Sequence, residues 1–508
     1  MRVTLIQPPQ LISPTNYIST IAIPPLGLAY LASSLREAGH DVTVVDGVGE
    51  GLETVWRHDE SRDVWLRGLP FEEIADRAHA ESSVIGIGCM FSCQWPSTRE
   101  LVATLRERFP RALLILGGEH ASALPERTLA ESPVDLCVLG EGEETLLEVV
   151  ARAEAGENPA DSTGLARRAA GNDGRVERTP PRKRIRDIDA IPAPAWDLFP
   201  VESYIDYGSP HGAVRGRSMP ILATRGCPYQ CTFCSSPQMW TTTWIPREPK
   251  LVVDEMEWLR ERYGAEDFQF EDLTAVVKRS WTLEFCREVL DRKMNVTWQL
   301  PSGTRSEAID REVADLMFAA GCRNFAYSVE SGSTETLAII KKRIHLDKVH
   351  ASARDALAAG IRLQCTFILG FPHETWRHAL ATYREIARCA AIGFHEMNVC
   401  AFSPLPNTEA CAELQRAGKI PDGDDFLYGL FGYMDITEYR SFHPRWGDRR
   451  LRFMLYCAFA LFYGLAVLMR PWRLPAELFR YARGTSQGKL GKLVRELLRN
   501  RRLRNRAS

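Results

Sequence analysis

Three cysteines stand within eight residues in the stretch Cys227-Pro-Tyr-Gln-Cys231-Thr-Phe-Cys234. Thiolates are soft ligands that select zinc, copper(I) or iron–sulfur clusters, and a 4Fe-4S cluster normally takes four cysteines. The local sequence offers only three. A zinc site completed by a histidine such as His211, or a four-cysteine electron-transfer cluster completed by a distant thiol, would each account for the count. Zinc sites usually pair their ligands two by two, which weighs against zinc here. The motif comes directly after an apolar run at 221–224 and its Ala223-Thr224-Arg225-Gly226 exit, so a strand end must position it.

That run opens an alternating series. Strands are expected at 221–224, 268–270, 296–300, 325–329, 363–369 and 397–402, separated by helical patterns such as 251–263 and 347–359. Six β/α units make an incomplete barrel, in which chemistry belongs at the carboxyl ends of the strands. An earlier alternation occupies the front of the chain: strands at 3–6, 42–46, 84–88, 113–116 and 135–139, with a helix at 26–38 closed by Gly39. Strand and helix in alternation give a parallel sheet covered on both faces, with ligands beyond the carboxyl ends of its strands. The residues just past those ends are Gln7-Pro8-Pro9, the 89–93 stretch with its two cysteines, Gly117-Gly118-Glu119-His120 and Gly140-Glu141-Gly142-Glu143.

The domain boundaries expected are therefore 1–155 for the front domain, 156–215 for a linker, 216–418 for the barrel and 419–508 for a helical region. The linker carries a basic cluster (Arg182, Lys183, Arg184, Arg186) that reads first as a solvated face. Residues 453–469 hold no charge, near the lower length of a membrane span, and suit a buried or interfacial helix. Trp446, Phe453, Tyr456 and Tyr463 could line an apolar site, though such stripes are more often core. The terminal stretch 489–508 sets eight Lys or Arg against Glu496, with Leu490, Leu493, Val494, Leu497 and Leu498 on one helical stripe. This is a basic amphipathic pattern, suited to anionic lipid or to a docked helix with a frayed end.

Composition excludes several classes. The 508 residues are 45% hydrophobic and 25% charged, as in an ordinary folded protein, and the net charge of -2 provides no field for nucleic acid. Thirteen cysteines, most of them single within apolar runs, suggest free thiols and a reducing compartment, hence the cytoplasm.

The cysteine motif at the end of the first strand of a six-unit barrel closely resembles that of the radical S-adenosylmethionine superfamily. The resemblance implies a 4Fe-4S cluster on Cys227, Cys231 and Cys234 whose fourth iron chelates S-adenosylmethionine, with one-electron cleavage yielding a 5′-deoxyadenosyl radical. It implies further contacts residue by residue. Asp272, with Glu271 beside it as the alternative, would meet the methionine amino group. Glu330 and Ser331 would contact the ribose or carboxylate, and Gly370 and Glu374 would form the turn beside the adenine. Gln299 and Arg305 are weaker candidates. Asp272 and Glu374 could instead simply cap the next helix.

The front motifs, including Ile23-Pro24-Pro25-Leu26-Gly27 and Val44-Val45-Asp46, look like the cobalamin-binding domain that precedes the barrel in one large branch of that superfamily. The whole then reads as an α/β chain: a Rossmann-like doubly wound cobalamin-binding domain, a partial (β/α)6 TIM-type barrel and a C-terminal helical region. Cobalamin would lie against Gly117, Gly118, His120, Gly140, Glu141 and Gly142. The Asp-x-His-x-x-Gly motif that places histidine on cobalt is absent, so His120 is not assigned as a cobalt ligand. The implied activity is methylation of an unactivated carbon or phosphorus centre of a small molecule. A cobalamin-dependent cyclisation, ring contraction or rearrangement is the first alternative. Methylthio transfer and a non-catalytic carrier are further alternatives. Expected partners are a flavodoxin or ferredoxin as electron donor and, through the C-terminal helices, a membrane surface, with no nucleic acid.

Overall fold

The computed structural model of the protein describes residues 1–13, 21–170, 174–433 and 439–482. The basic amphipathic stretch 489–508 lies outside them. The front sheet has seven strands in the spatial order Val176–Arg178, Leu165–Arg168, Leu136–Val138, Leu113–Gly117, Val84–Gly88, Arg2–Gln7 and Asp41–Asp46. The last five of these pair in parallel and read as apolar runs because helices cover both faces. Leu165–Arg168 and Val176–Arg178 join by antiparallel pairing. They come from the stretch read as linker: their charged residues hide the strand period, and charge is how an exposed edge avoids pairing with another chain. A small antiparallel sheet, Gln10–Ile12 with Val64–Arg67 and Val55–Asp59, was likewise not visible in the apolar pattern.

The chain enters this sheet at Arg2–Gln7, passes to Asp41–Asp46 on one side and then crosses to Val84–Gly88 on the other. The order reverses there, so the crevice beyond Gln7 and Gly88 is the switch point where doubly wound sheets take ligands.

The second sheet runs Ser218–Ile221, Asp267–Phe270, Thr297–Thr304, Cys322–Glu330, Arg362–Leu369 and Glu396–Ala401 in sequence order, all parallel. It is the six-strand partial barrel, and Pro220, which cannot donate to a ladder, sits on its edge strand. The segment feeding that strand lies against strands two and three. Gly212 N–H donates to Gln269 (2.8 Å), Ala213 N–H donates to Gln299 (2.9 Å) and Gln299 Nε2 returns a bond to the Ala213 carbonyl (2.8 Å).

Beyond the barrel, helix Asp448–Met469 buries Leu451, Met454, Leu455, Ala458 and Phe462. Phe453, Tyr456 and Tyr463 instead face solvent, against the expectation of core. Trp446 is buried, stacked on His443 with ring centroids 3.9 Å apart, and His443 Nε2 meets the Glu374 carbonyl oxygen (2.9 Å), fastening the helical region to the fifth barrel strand's exit.

Candidate active site

The cysteine loop is fixed from both ends. Before it, Asp272 accepts hydrogen bonds from the Ala223 amide (3.2 Å) and the Thr224 hydroxyl (2.6 Å). After it, Thr232 N–H donates to the Ile340 carbonyl (3.1 Å), the Thr232 carbonyl accepts from Ala410 (3.0 Å), and Phe233 packs edge-on against Phe371. Burial raises all three thiols, Cys234 to about 12, while Lys342 and Arg305 pull Cys227 and Cys231 the other way. Among the described residues, no group of three His, Cys, Asp or Glu side chains is gathered as ligands of one ion. Three half-buried thiols on one loop, with two cations beside them, fit a cluster in which each sulfur serves its own iron and the ligands must be thiolates. His211, the zinc alternative, hydrogen-bonds Glu271 (3.0 Å).

The remaining barrel ends separate the expected residues by how their polar atoms are used. Glu330 ends strand four at a register shift with φ +65°, a backbone state uncommon for a side-chain-bearing residue, and its carboxylate holds Lys342 Nζ at 2.9 Å. Ser331 shares a hydrogen bond with Thr382 (3.0 Å) and accepts from the Ser333 amide, which directs it toward a neighbouring helix. Glu374 accepts from the amides of Gly370 (2.7 Å) and Phe371 (3.2 Å) through one oxygen, and its other oxygen is buried with no partner. Burial lifts Glu374 to about 7, and it lifts Asp272, enclosed by strand one's exit, to about 7 as well. Glu271 keeps one buried oxygen without a partner, whereas both oxygens of Asp272 are engaged. Arg305 lies over the Tyr229 ring at 3.7 Å, and Gln299 is occupied by the Ala213 backbone.

At the front sheet's edge the groups are mostly backbone and apolar. Gly118 takes φ +107°, and a Cβ there would stand 2.5 Å from the Cys89 carbonyl oxygen, so the turn requires glycine. A Cβ on Gly117 would meet nothing within 4 Å. At the switch point Met90 and Phe91 are 49% and 51% exposed, an apolar step on an otherwise closed sheet edge. An open glycine edge beside exposed apolar side chains fits a flat macrocycle such as the corrin of cobalamin. His120 is fully buried: it stacks on Trp95, bonds Ser92 Oγ through Nδ1 (3.0 Å), and is held neutral, lowered to about 3 by burial and by Arg127. Gly140 donates to Ser122 (2.9 Å), and Gly142 lies against Leu31.

Glu141 is part of the bridge between the two sheets. Arg225, two residues before Cys227, donates to Glu141 (3.2 Å) and Glu143 (2.6 Å), and Arg184 reaches the other Glu141 oxygen at 2.7 Å. All four side chains are at least nine-tenths buried. The basic cluster read as a solvated face thus contributes a buried clamp, and Arg182 pairs with Glu148. Short helices Glu119–Ala123 and Ser236–Trp240 pack together, and Glu119 bonds Ser235 beside Cys234, so the front edge faces the cysteine loop. On sequence alone Arg225 and Lys342 have no role, whereas Met90 and Phe91 lie in the 89–93 stretch expected at the ligand edge. Of the first two, only Arg225 carried a signal, its adjacency to the motif.

A doubly wound sheet whose carboxyl edge faces a three-thiol loop on a partial barrel defines a two-cofactor enzyme class. The chain matches the B12 binding domain over residues 21–150 and the radical SAM superfamily over residues 221–386. It belongs to the cobalamin-binding branch of the radical SAM superfamily, whose cofactors are a 4Fe-4S cluster, S-adenosylmethionine and cobalamin. It is similar to an uncharacterized methyltransferase of Pyrococcus horikoshii, at 29% identity over 80% of this chain and 82% of that one. The cytidylyl-2-hydroxyethylphosphonate methyltransferase of Streptomyces wedmorensis is 28% identical, over 80% of each chain. The anaerobic magnesium-protoporphyrin IX monomethyl ester cyclase of Rubrivivax gelatinosus is 29% identical, over 80% of this chain and 69% of that one. In fold it resembles the methyltransferase TsrM from Kitasatospora setae, solved with cobalamin and a [4Fe-4S] cluster, with a TM-score of 0.65 and 19% identity over 91% of this chain and 88% of that one.

Proposed function

We propose that the enzyme transfers a methyl group to an unactivated carbon or phosphorus centre of a small-molecule metabolite held between the two sheet edges. The observation that carries this reading is the buried Arg225 bridge, which locks the cysteine loop against the front domain's ligand edge. When bound, the cluster with S-adenosylmethionine supplies one-electron cleavage to a carbon radical, and cobalamin supplies a methyl carrier. The chain supplies position and dryness. Cys227, Cys231 and Cys234 hold the cluster. The buried Glu271 and Glu374 oxygens that lack partners would offer acceptors for the amino and adenine groups of S-adenosylmethionine, and Glu330 would offer its ribose the oxygen that Lys342 does not hold. On this reading Asp272, Ser331 and Glu141 are positioning residues, because their polar atoms are already engaged. Gly117, Gly118, Met90 and Phe91 would line the corrin site. Enclosure between two edges keeps the reacting carbon near both cofactors and away from water.

The methyltransferases among the relatives support methyl transfer, and the cyclase supports the second reading, a cobalamin-dependent ring closure. Anaerobic turnover of the reconstituted protein separates them. Methyl transfer yields S-adenosylhomocysteine together with 5′-deoxyadenosine, and cyclisation yields 5′-deoxyadenosine alone.

We place the enzyme in the cytoplasm, reduced by a flavodoxin or ferredoxin; its thirteen free cysteines suit that compartment. A peripheral contact with anionic lipid is supported by the outer face of Asp448–Met469, where Phe453, Tyr456, Leu468 and the following Trp472 are exposed. The basic stretch 489–508 supplies the complementary charge. Sedimentation of the full chain with vesicles containing anionic phospholipid, and not with neutral ones, is the expected outcome. Equal recovery with both removes the idea.

A further inference from the structure

Two largely buried cations stand beside the cysteine loop, and neither belongs to the motif. Lys342 follows helix Thr334–Ile339. Its predecessor Lys341 takes φ +55°, which reverses the chain, and pairs outward with Glu409 (2.6 Å), while the Lys342 amide donates back to the Leu337 carbonyl (2.9 Å). The Lys342 side chain is thereby turned inward to Glu330, itself at φ +65°. Two left-handed residues that are not glycine, one on each side of a single buried ion pair, are strained positions that cluster where geometry serves function. The same chain reversal carries the Ile340 carbonyl that anchors Thr232 of the cysteine loop, so Lys342 and the cluster ligands share one rigid frame. Next to this turn Arg305 stacks on Tyr229, between Cys227 and Cys231. It is bonded to Glu307 (3.0 Å) and to the Arg343 carbonyl, and its buried Nε has no partner.

A buried lysine is costly unless paired, and one carboxylate would satisfy it. Both cations are fixed beside the cysteine loop, Lys342 through the Ile340–Thr232 bond of its own turn and Arg305 through the Tyr229 ring. We infer that Lys342 and Arg305 are positioning residues that set the reduction potential of the cluster held by Cys227, Cys231 and Cys234, with Glu330 as the counterweight to Lys342. The inference rests on the cluster assignment. In the step concerned, one electron leaves a low-potential donor, which is oxidised, and enters the cluster, which becomes one unit more negative. Fixed positive charge in a poorly screened site favours the more negative state, and fixed negative charge disfavours it.

The test is a redox titration of the reconstituted full chain followed by electron paramagnetic resonance, without S-adenosylmethionine. Lys342→Met is expected to lower the ratio of reduced to oxidised cluster about tenfold at the wild-type midpoint, a shift of about 59 mV for one electron. Glu330→Gln shifts it in the opposite direction, Arg305→Gln in the same direction as Lys342→Met, and Lys342→Arg restores the wild-type value. Unchanged potentials in variants with full iron and sulfide content overturn the inference. So do shifts of one sign in both Lys342→Met and Glu330→Gln, which would report water entry and not charge, and so does a Lys342→Met variant whose only defect is weaker binding of S-adenosylmethionine. Where Lys342→Met fails to hold iron, Glu330→Gln and Arg305→Gln decide the matter alone. A wild-type chain that assembles no cluster breaks the assignment beneath the inference and is recognised separately by iron and sulfide analysis.

Discussion

The two sheet edges that face each other are built from the same kind of element and present opposite chemistry. The barrel edge carries charge: Glu330 with Lys342, Arg305 over Tyr229, and the acids Glu271 and Asp272 at the second strand's end and Glu374 past the fifth's. The front edge offers Gly117 and Gly118, the exposed Met90 and Phe91, and a neutral, sequestered His120. A zwitterionic sulfonium and an electron-accepting cluster need fixed charges, whereas a broad macrocycle needs a flat surface and close backbone approach. Of the acids the front domain brings to this interface, Glu141 and Glu143 are neutralised by arginines, and Glu119 is bonded to Ser235.

The largest expected effect breaks one edge and leaves the other. Replacing Cys227, Cys231 and Cys234 together by alanine should reduce 5′-deoxyadenosine formation to background, while cobalamin retained after gel filtration stays at the wild-type level. Loss of both would mean that the edges do not bind independently. Next comes the bridge. Arg225→Met leaves Glu141 and Glu143 buried with less positive charge, and removing one partner of a buried pair typically costs about 3–5 kcal/mol. A thermal melt should show a marked drop, and limited proteolysis should cut faster between the front domain and the barrel. Within the front edge, Gly118→Ala should lower stability by about 1–3 kcal/mol from backbone strain alone, with the clash against Cys89 added. Gly117→Ala should leave the melting temperature unchanged and weaken cobalamin binding, read by equilibrium dialysis. Equal melting losses in the two variants would contradict the open position of Gly117.

The barrel edge was the more legible of the two. The Cys227–Cys234 spacing is a property of one loop, and the six strands showed as apolar runs because their packing is repeated along the chain. Which acid faces a ligand was not legible: Asp272 and Glu271 are adjacent, and only the fold shows that Thr224 and Ala223 enclose the first. Arg184 reads as part of a solvated face, and Arg225 and Lys342 take no role from the sequence, because their partners lie 12 to 84 positions away in the chain. The strands Leu165–Arg168 and Val176–Arg178 were hidden for a related reason, since both gain their place by antiparallel pairing with distant or neighbouring strands and not by burying an alternating face.

The contrast between edges also has a sign in pH. Asp272 and Glu374 are raised from the usual carboxylate range to about 7, so the folded state holds protons that the unfolded chain releases near pH 4. Their contribution to stability is full below that point and is lost as pH rises through about 7. His120 is lowered to about 3, so the unfolded chain takes up a proton below about 6.5 that the native state refuses, and stability falls as pH drops from there toward 3. Chemical denaturation across pH should therefore show Asp272→Asn and Glu374→Gln flattening the decline between pH 4 and 7, by on the order of a few kcal/mol at most. His120→Phe should flatten the acid limb.

The smallest effect expected concerns cobalamin itself. His120 is stacked beneath Trp95 with its Nδ1 on Ser92, and its neutrality follows from enclosure and not from a metal. Phenylalanine can keep the stack and loses one hydrogen bond, so His120→Phe should retain cobalamin with an unchanged visible spectrum. Electron paramagnetic resonance of the bound cobalt(II) form should show no nitrogen splitting in either protein. A splitting present in the wild type and lost in His120→Phe would put imidazole on cobalt, and the front edge would then supply a metal ligand where its geometry offers only a surface.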